Sequence, residues 1–142
     1  MKRIVFVVAM IVMVMGMGFG LCPPAYADDP VRTFPDPNLD TAMHDNTGVP
    51  YGNDIHQSDL DALTDNIHLE GYGIQDLTGM EYCTNAKQIV AHDNDISDLS
   101  PISGLTGLLN LDVSGNNLSD LTHIGNLVSL EGLHIEHDHV TS

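Results

Sequence analysis

From Leu77 to Ser142 the apolar positions stack when the chain is written in rows of 22 residues. The rows begin at Leu77, Leu99 and Leu121, and seven columns are apolar in every row. The first column is Leu77, Leu99 and Leu121, and the fourth is Met80, Ile102 and Ile124. The seventh is Cys83, Leu105 and Leu127, and the tenth is Ala86, Leu108 and Leu130. The thirteenth and fifteenth, Ile89, Leu111, Leu133 and Ala91, Val113, Ile135, alternate with polar residues as a half-buried strand does. The twentieth is Ile96, Leu118 and Val140. With apolar residues at 42% of the chain, such agreement has a chance probability on the order of 10⁻⁸ before allowing for register. A fixed period of this size predicts stacked coils, each burying one face against its neighbours.

Upstream the pattern changes. Asp36-Pro37 reads as a helix start, because Asp accepts backbone N–H bonds as N-cap and Pro fits the first helical position. Leu39, Ala42 and Met43 supply the apolar stripe and Gly48 the stop. Val49 to Asp54 reads as turn, and a second short helix is expected from Gln57 to Thr64, burying Leu60 and Leu63. Ile67 in, His68 out, Leu69 in, Glu70 out then reads as a strand. Ile74 falls on the place of the twentieth column, so Ile55 to Asp76 is a row whose first half is helical and whose second half obeys the repeat. That is the composition of a segment closing one end of a solenoid.

The spacing L-x-x-L-x-L-x-x-N, with TFPDPNLDTAM, IHQSDLDALT and ISDLSPISGLTGLLNLDVSGNNLSDL in that order, resembles the internalin-type leucine-rich repeat family of bacterial surface or secreted proteins. The resemblance covers Thr33 to Ser142. It implies an α/β right-handed solenoid, with a parallel β-sheet on the concave face, 3₁₀ or irregular segments on the convex face, and an N-terminal α-helical cap. It also implies protein binding as the usual function. The expected division is a signal peptide over 1–27, a leader over 28–35, a cap with the first strand over 36–76 and three repeats over 77–142. Three departures stand out. The Asn column reads Asn94, Asn116 and then Asp138; Ala86 and Ala91 thin the first repeat; and Ser142 closes the third row with no C-terminal cap. On that ending Ile124, Leu127, Leu130, Leu133 and Ile135 are expected to lie open, which favours a continuing chain or self-association through that end.

The N-terminus carries Lys2 and Arg3, an apolar run from Ile4 to Leu21 and Ala25-Tyr26-Ala27, the layout of a secretory signal cleaved after Ala27. Cleavage would move the formal charge from −16 two units further negative, leaving Arg32 and Lys87 as the strong bases. The expected location is extracellular, secreted or at the cell surface. Such a charge disfavours nucleic acid and anionic membranes as partners, the signal peptide apart. Cys22 leaves with the signal, so Cys83 has no partner for an intrachain disulfide and reads as a buried hydrophobe.

In a leucine-rich repeat strand the residues flanking the buried pair face the concave side. The twelfth column gives Asn66, Gln88, Asn110 and Gly132. The fourteenth gives His68, Val90, Asp112 and His134, and the sixteenth gives Glu70, His92, Ser114 and Glu136. This polar, acidic, histidine-bearing strip fits a protein or peptide of positive charge, though it lacks aromatic anchors. A spacer without a partner of its own is the first alternative. The second is weak metal binding by His134, Glu136, His137, Asp138 and His139, whose H-x-x-H-x-H spacing is no recognised zinc pattern. No catalytic or cofactor motif occurs, so an enzyme is not expected.

Overall fold

A computed structural model describes residues 29–136. The segment read as a signal, Cys22, His137, Asp138, His139, Val140 and Ser142 lie outside the described residues. Strand β1 (Val31–Arg32) pairs antiparallel with β2 (Ile55–His56). Between them runs helix α1 (Pro37–Thr47), with Asp36 as N-cap and Gly48 ending it in the left-handed conformation (φ 75°). Helix α2 (Gln57–Asp61) follows β2 directly. It is shorter than its apolar pair suggested: Leu60 is buried, but Leu63 is only partly covered.

Four strands then form one parallel sheet: β3 (Asn66–His68), β4 (Gln88–Val90), β5 (Asn110–Asp112) and β6 (Gly132–His134). Their register is the 22-residue period itself. Ile67 stands opposite Ile89, Ile89 opposite Leu111, and Leu111 opposite Leu133. The ladder continues past each strand, with Leu69 N–H donating to the Val90 carbonyl (2.7 Å) and Ala91 N–H to that of Asp112 (2.7 Å). Short 3₁₀ segments at Met80–Tyr82, Ser100–Ile102 and Thr122–Asn126 turn the chain on the far side of each coil. Asp76, Asp98 and Asp120, one per coil, start these turns by accepting from the backbone N–H and hydroxyl of Thr78, Ser100 and Thr122.

The apolar columns form one continuous core. In the first two rows all seven positions are 3% exposed or less. Each large side chain so buried contributes roughly 1.5–3 kcal/mol of transfer free energy. In the third row Leu127 joins that core, whereas Leu121, Ile124, Leu130 and Ile135 are half-covered and Leu133 is 38% exposed. Leu127, expected to lie open, is instead buried: it closes the Thr122–Asn126 turn and belongs to the continuous core. At the other end α1 and α2 cover the core. Leu39, Ala42, Met43 and Leu60 have no exposed surface, and Asn46 clips α1 to β3 by bonding both the N–H and the carbonyl of His68.

The segment read as a leader is built into this end. Phe34 is buried, and Arg32 lies over the Tyr82 ring at 3.9 Å while bonding Gln57. Phe34 fits only because Gly79, at φ 105°, has no side chain. A Cβ there would stand 2.5 Å from the Phe34 ring and 3.0 Å from the Thr33 carbonyl oxygen. Replacing Gly79 with Ala adds backbone strain to that overlap. We expect the Gly79→Ala protein to lose about 2 kcal/mol in a urea titration; an unchanged midpoint would mean Phe34 does not pack there.

Two asparagines tie the coils together. Asn94 and Asn116 are buried. The Asn94 carbonyl oxygen accepts from Ile74 N–H, and its amide donates to the carbonyls of Leu69, Ala91 and His92. One coil on, Asn116 accepts from Ile96 N–H and donates to Ala91, Val113 and Ser114. Each side chain therefore links its own turn to the previous coil. Cys83 has no exposed surface, and burial pushes its thiol up to about 12, so it stays protonated at neutral pH and packs as a hydrophobe.

The outer face of the sheet as a candidate interaction surface

Strand geometry alternates side chains between two faces. The inner face takes Ile67, Leu69, Ile89, Ala91, Leu111 and Val113, all without exposed surface. The outer face therefore receives the residues between them. The parallel register sets Asn66, Gln88, Asn110 and Gly132 side by side in one row, and His68, Val90, Asp112 and His134 in the next. Neighbouring strands lie about 4.8 Å apart, so each row is continuous. Just beyond, Glu70, His92, Ser114 and Glu136 extend the surface, with Gly71 N–H bonded to the His92 carbonyl and Asp93 N–H to that of Ser114.

These side chains are exposed or half-exposed, and several are held. His68 Nδ1 lies 3.3 Å from Glu70 Oε1, and His92 Nδ1 lies 2.8 Å from Asp93 Oδ2. Asp112 accepts from the N–H and hydroxyl of Ser114. Asp93 was missed by the periodicity argument. It takes positive φ (57°), and its carboxylate lies beside the His92 ring and against Gly115. A non-glycine residue at positive φ favours Asn or Asp, the only sequence signal available.

The clefts are shallow; one of about 360 Å³ is lined by Arg32, Phe34, Asp40, His44 and Asp54 beside β1 and α1. Among the described residues no group of three or more His, Cys, Asp or Glu side chains converges in a way that could hold a metal ion. No helix among them is long and apolar enough to cross a membrane. The strands carrying a 22-residue register on one sheet, with a 3₁₀ turn in each coil, decide the architecture.

The chain shares the internalin-type leucine-rich repeat fold. It is similar to an internalin, InlF, from Listeria monocytogenes at 27% identity and a TM-score of 0.71, covering 77% of this chain and 32% of that one. Internalin C2 from the same organism matches at 26% identity and a TM-score of 0.62, covering 77% of this chain and 58% of that one. The functional domain of Listeria InlJ matches at 26% identity and a TM-score of 0.69, with 77% and 24% covered. The chain thus spans between about a quarter and three-fifths of these internalin structures. No protein-family model and no curated protein matches the sequence. That architecture supports a protein-interaction module in general.

Proposed function

We propose that this internalin-type protein is a secreted or surface-exposed recognition module that binds a protein or peptide of positive charge on the concave face of a right-handed solenoid. The site comprises Asn66, His68, Glu70, Gln88, Val90, His92, Asn110, Asp112, Ser114, His134 and Glu136, with Asp93 added. In this reading residues 1–27 are a signal cleaved after Ala27, 28–35 a leader, 36–76 the helical cap and 77–142 the repeats. The module performs no reaction and needs no cofactor. Nucleic acid and membrane surfaces are not its partners.

The observation that carries this reading is the strip of carboxylates formed by Glu70, Asp93, Asp112 and Glu136 on a sheet whose opposite face is committed to the core. Of the two strong bases in residues 29–136, neither reaches it: Arg32 covers Tyr82 and Lys87 Nζ bonds the Gly107 carbonyl. A surface of one sign steers an oppositely charged partner and sets its register.

Isothermal titration with a synthetic decalysine peptide tests the assignment. Glu70→Gln with Asp112→Asn is expected to weaken binding about tenfold at low salt. Asp54→Asn with Glu81→Gln removes the same charge away from the face and should alter affinity less than about twofold. Equal effects of the two pairs would mean that net charge alone, and no particular face, attracts the peptide.

A further inference from the structure

The outer face carries three imidazoles among its carboxylates, and each has an acidic neighbour. His68 lies 3.3 Å from Glu70 and His92 lies 2.8 Å from Asp93. His134 stands in strand register with Asp112, and Glu136 follows it two residues on. Helix α1, which packs on the β3 side, adds Asp45, but its carboxylate is occupied by the hydroxyls of Tyr51 and Tyr72. The other described histidines are elsewhere. His44 is buried under Tyr51, His56 bonds the Asp29 carbonyl, and His123 lies 3.9 Å from Asp98 at the opposite turns.

Histidine is the side chain whose charge ordinarily changes between pH 5 and 8. With the imidazoles neutral, the face presents the negative charges of Glu70, Asp93, Asp112 and Glu136. With all three protonated, most of that charge is offset on the face itself, at His68 and His92 within hydrogen-bonding reach, before any partner arrives. No backbone movement is required, because His68 and His92 already sit beside their carboxylates.

We propose that protonation of His68, His92 and His134 gates this face, which holds a cationic protein or peptide at neutral pH and releases it in mild acid. The inference rests on the concave-face reading above and adds its regulation. Lysine side chains stay charged throughout this range, so a decalysine peptide reports on the protein's titration and not its own.

The test is fluorescence anisotropy of labelled decalysine at pH 7.5 and 5.5, at fixed ionic strength, with circular dichroism recorded at both. Wild-type Kd is expected to rise about tenfold on acidification. The triple variant His68→Gln, His92→Gln, His134→Gln should lose the pH response, its Kd at pH 5.5 lying within about twofold of its own value at pH 7.5. Equal wild-type affinity at the two pH values, with Glu70→Gln and Asp112→Asn still weakening it, would remove the gate and leave the recognition face standing. A triple variant that keeps the full pH response would also overturn the gate. If wild-type protein does not bind the peptide at pH 7.5, the recognition reading fails and takes the gate with it.

Discussion

Replacing Asp36 with Ala is expected to lower stability by about 3–5 kcal/mol and the melting temperature by on the order of 15 °C. The residue is only 8% exposed, and its two oxygens serve different parts of the chain. Oδ1 accepts from Asn38 N–H (2.8 Å) and Leu39 N–H (3.3 Å), which caps α1. Oδ2 accepts from Gln75 N–H (2.7 Å) and Asp76 N–H (3.0 Å), some 40 residues away, where the first coil turns. Alanine leaves four donors unpaired and uncouples the helix from the coil. Asparagine keeps the cap but points an amide at two N–H groups, so Asp36→Asn should recover only part of the loss. Thermal denaturation by circular dichroism measures both; a shift below about 3 °C for Asp36→Ala would show that water replaces these bonds without cost.

The same carboxylate sets the acid limit of the fold. Burial alone raises its pKa, but the bonds from Gln75, Asp76, Asn38 and Leu39 outweigh burial and hold it below the ordinary Asp value. A group depressed in the folded state stabilises at neutral pH, and that contribution is lost as pH falls through the folded value. Asp98 and Asp120 are lowered in the same direction by the Ser100 and Thr122 bonds at the turns. These groups therefore predict loss of stability below about pH 4 and none from them between pH 5 and 8.

The second large effect is expected at Asn94. Its amide donates to the Leu69 carbonyl at 2.7 Å and to that of Ala91 at 3.0 Å, while its oxygen accepts from Ile74 N–H at 2.9 Å. Aspartate has the same shape and no donor when ionised, so it sets a buried negative charge against carbonyl oxygens. The Asn94→Asp protein should be about 3 kcal/mol less stable at pH 7. Its deficit relative to wild type should shrink toward pH 4.5. The new carboxyl has a raised folded pKa, so the stability it allows is present in acid and lost as pH rises. Urea titrations at the two pH values decide it. A deficit that does not shrink in acid would mean that the donor, once restored, cannot remake the bonds.

Much of this was legible in one dimension. A period of 22 residues in seven apolar columns required that Ile67, Ile89, Leu111 and Leu133 occupy equivalent places, and the strand register pairs them. Asp36-Pro37 and Gly48 marked the ends of α1 because capping depends on neighbours within four residues. The rows of the candidate face followed from the alternation of strand side chains, a local rule repeated at a fixed interval.

Contacts between distant, non-repeating segments were not legible. Nothing periodic in Val31–Arg32 announced that it would pair with Ile55–His56, that Phe34 would fill the space above Gly79, or that Asp36 would reach Gln75 and Asp76. Nor did spacing place the Asp93 carboxylate beside the His92 ring. By itself the sequence determined the repeat, its register and which side chains enter the core, because a coil of constant length must return the same positions to the same interior. Only the tertiary structure decided how the helical end is locked and which carboxylates meet which imidazoles, because those distances depend on the folding together of segments that share no pattern.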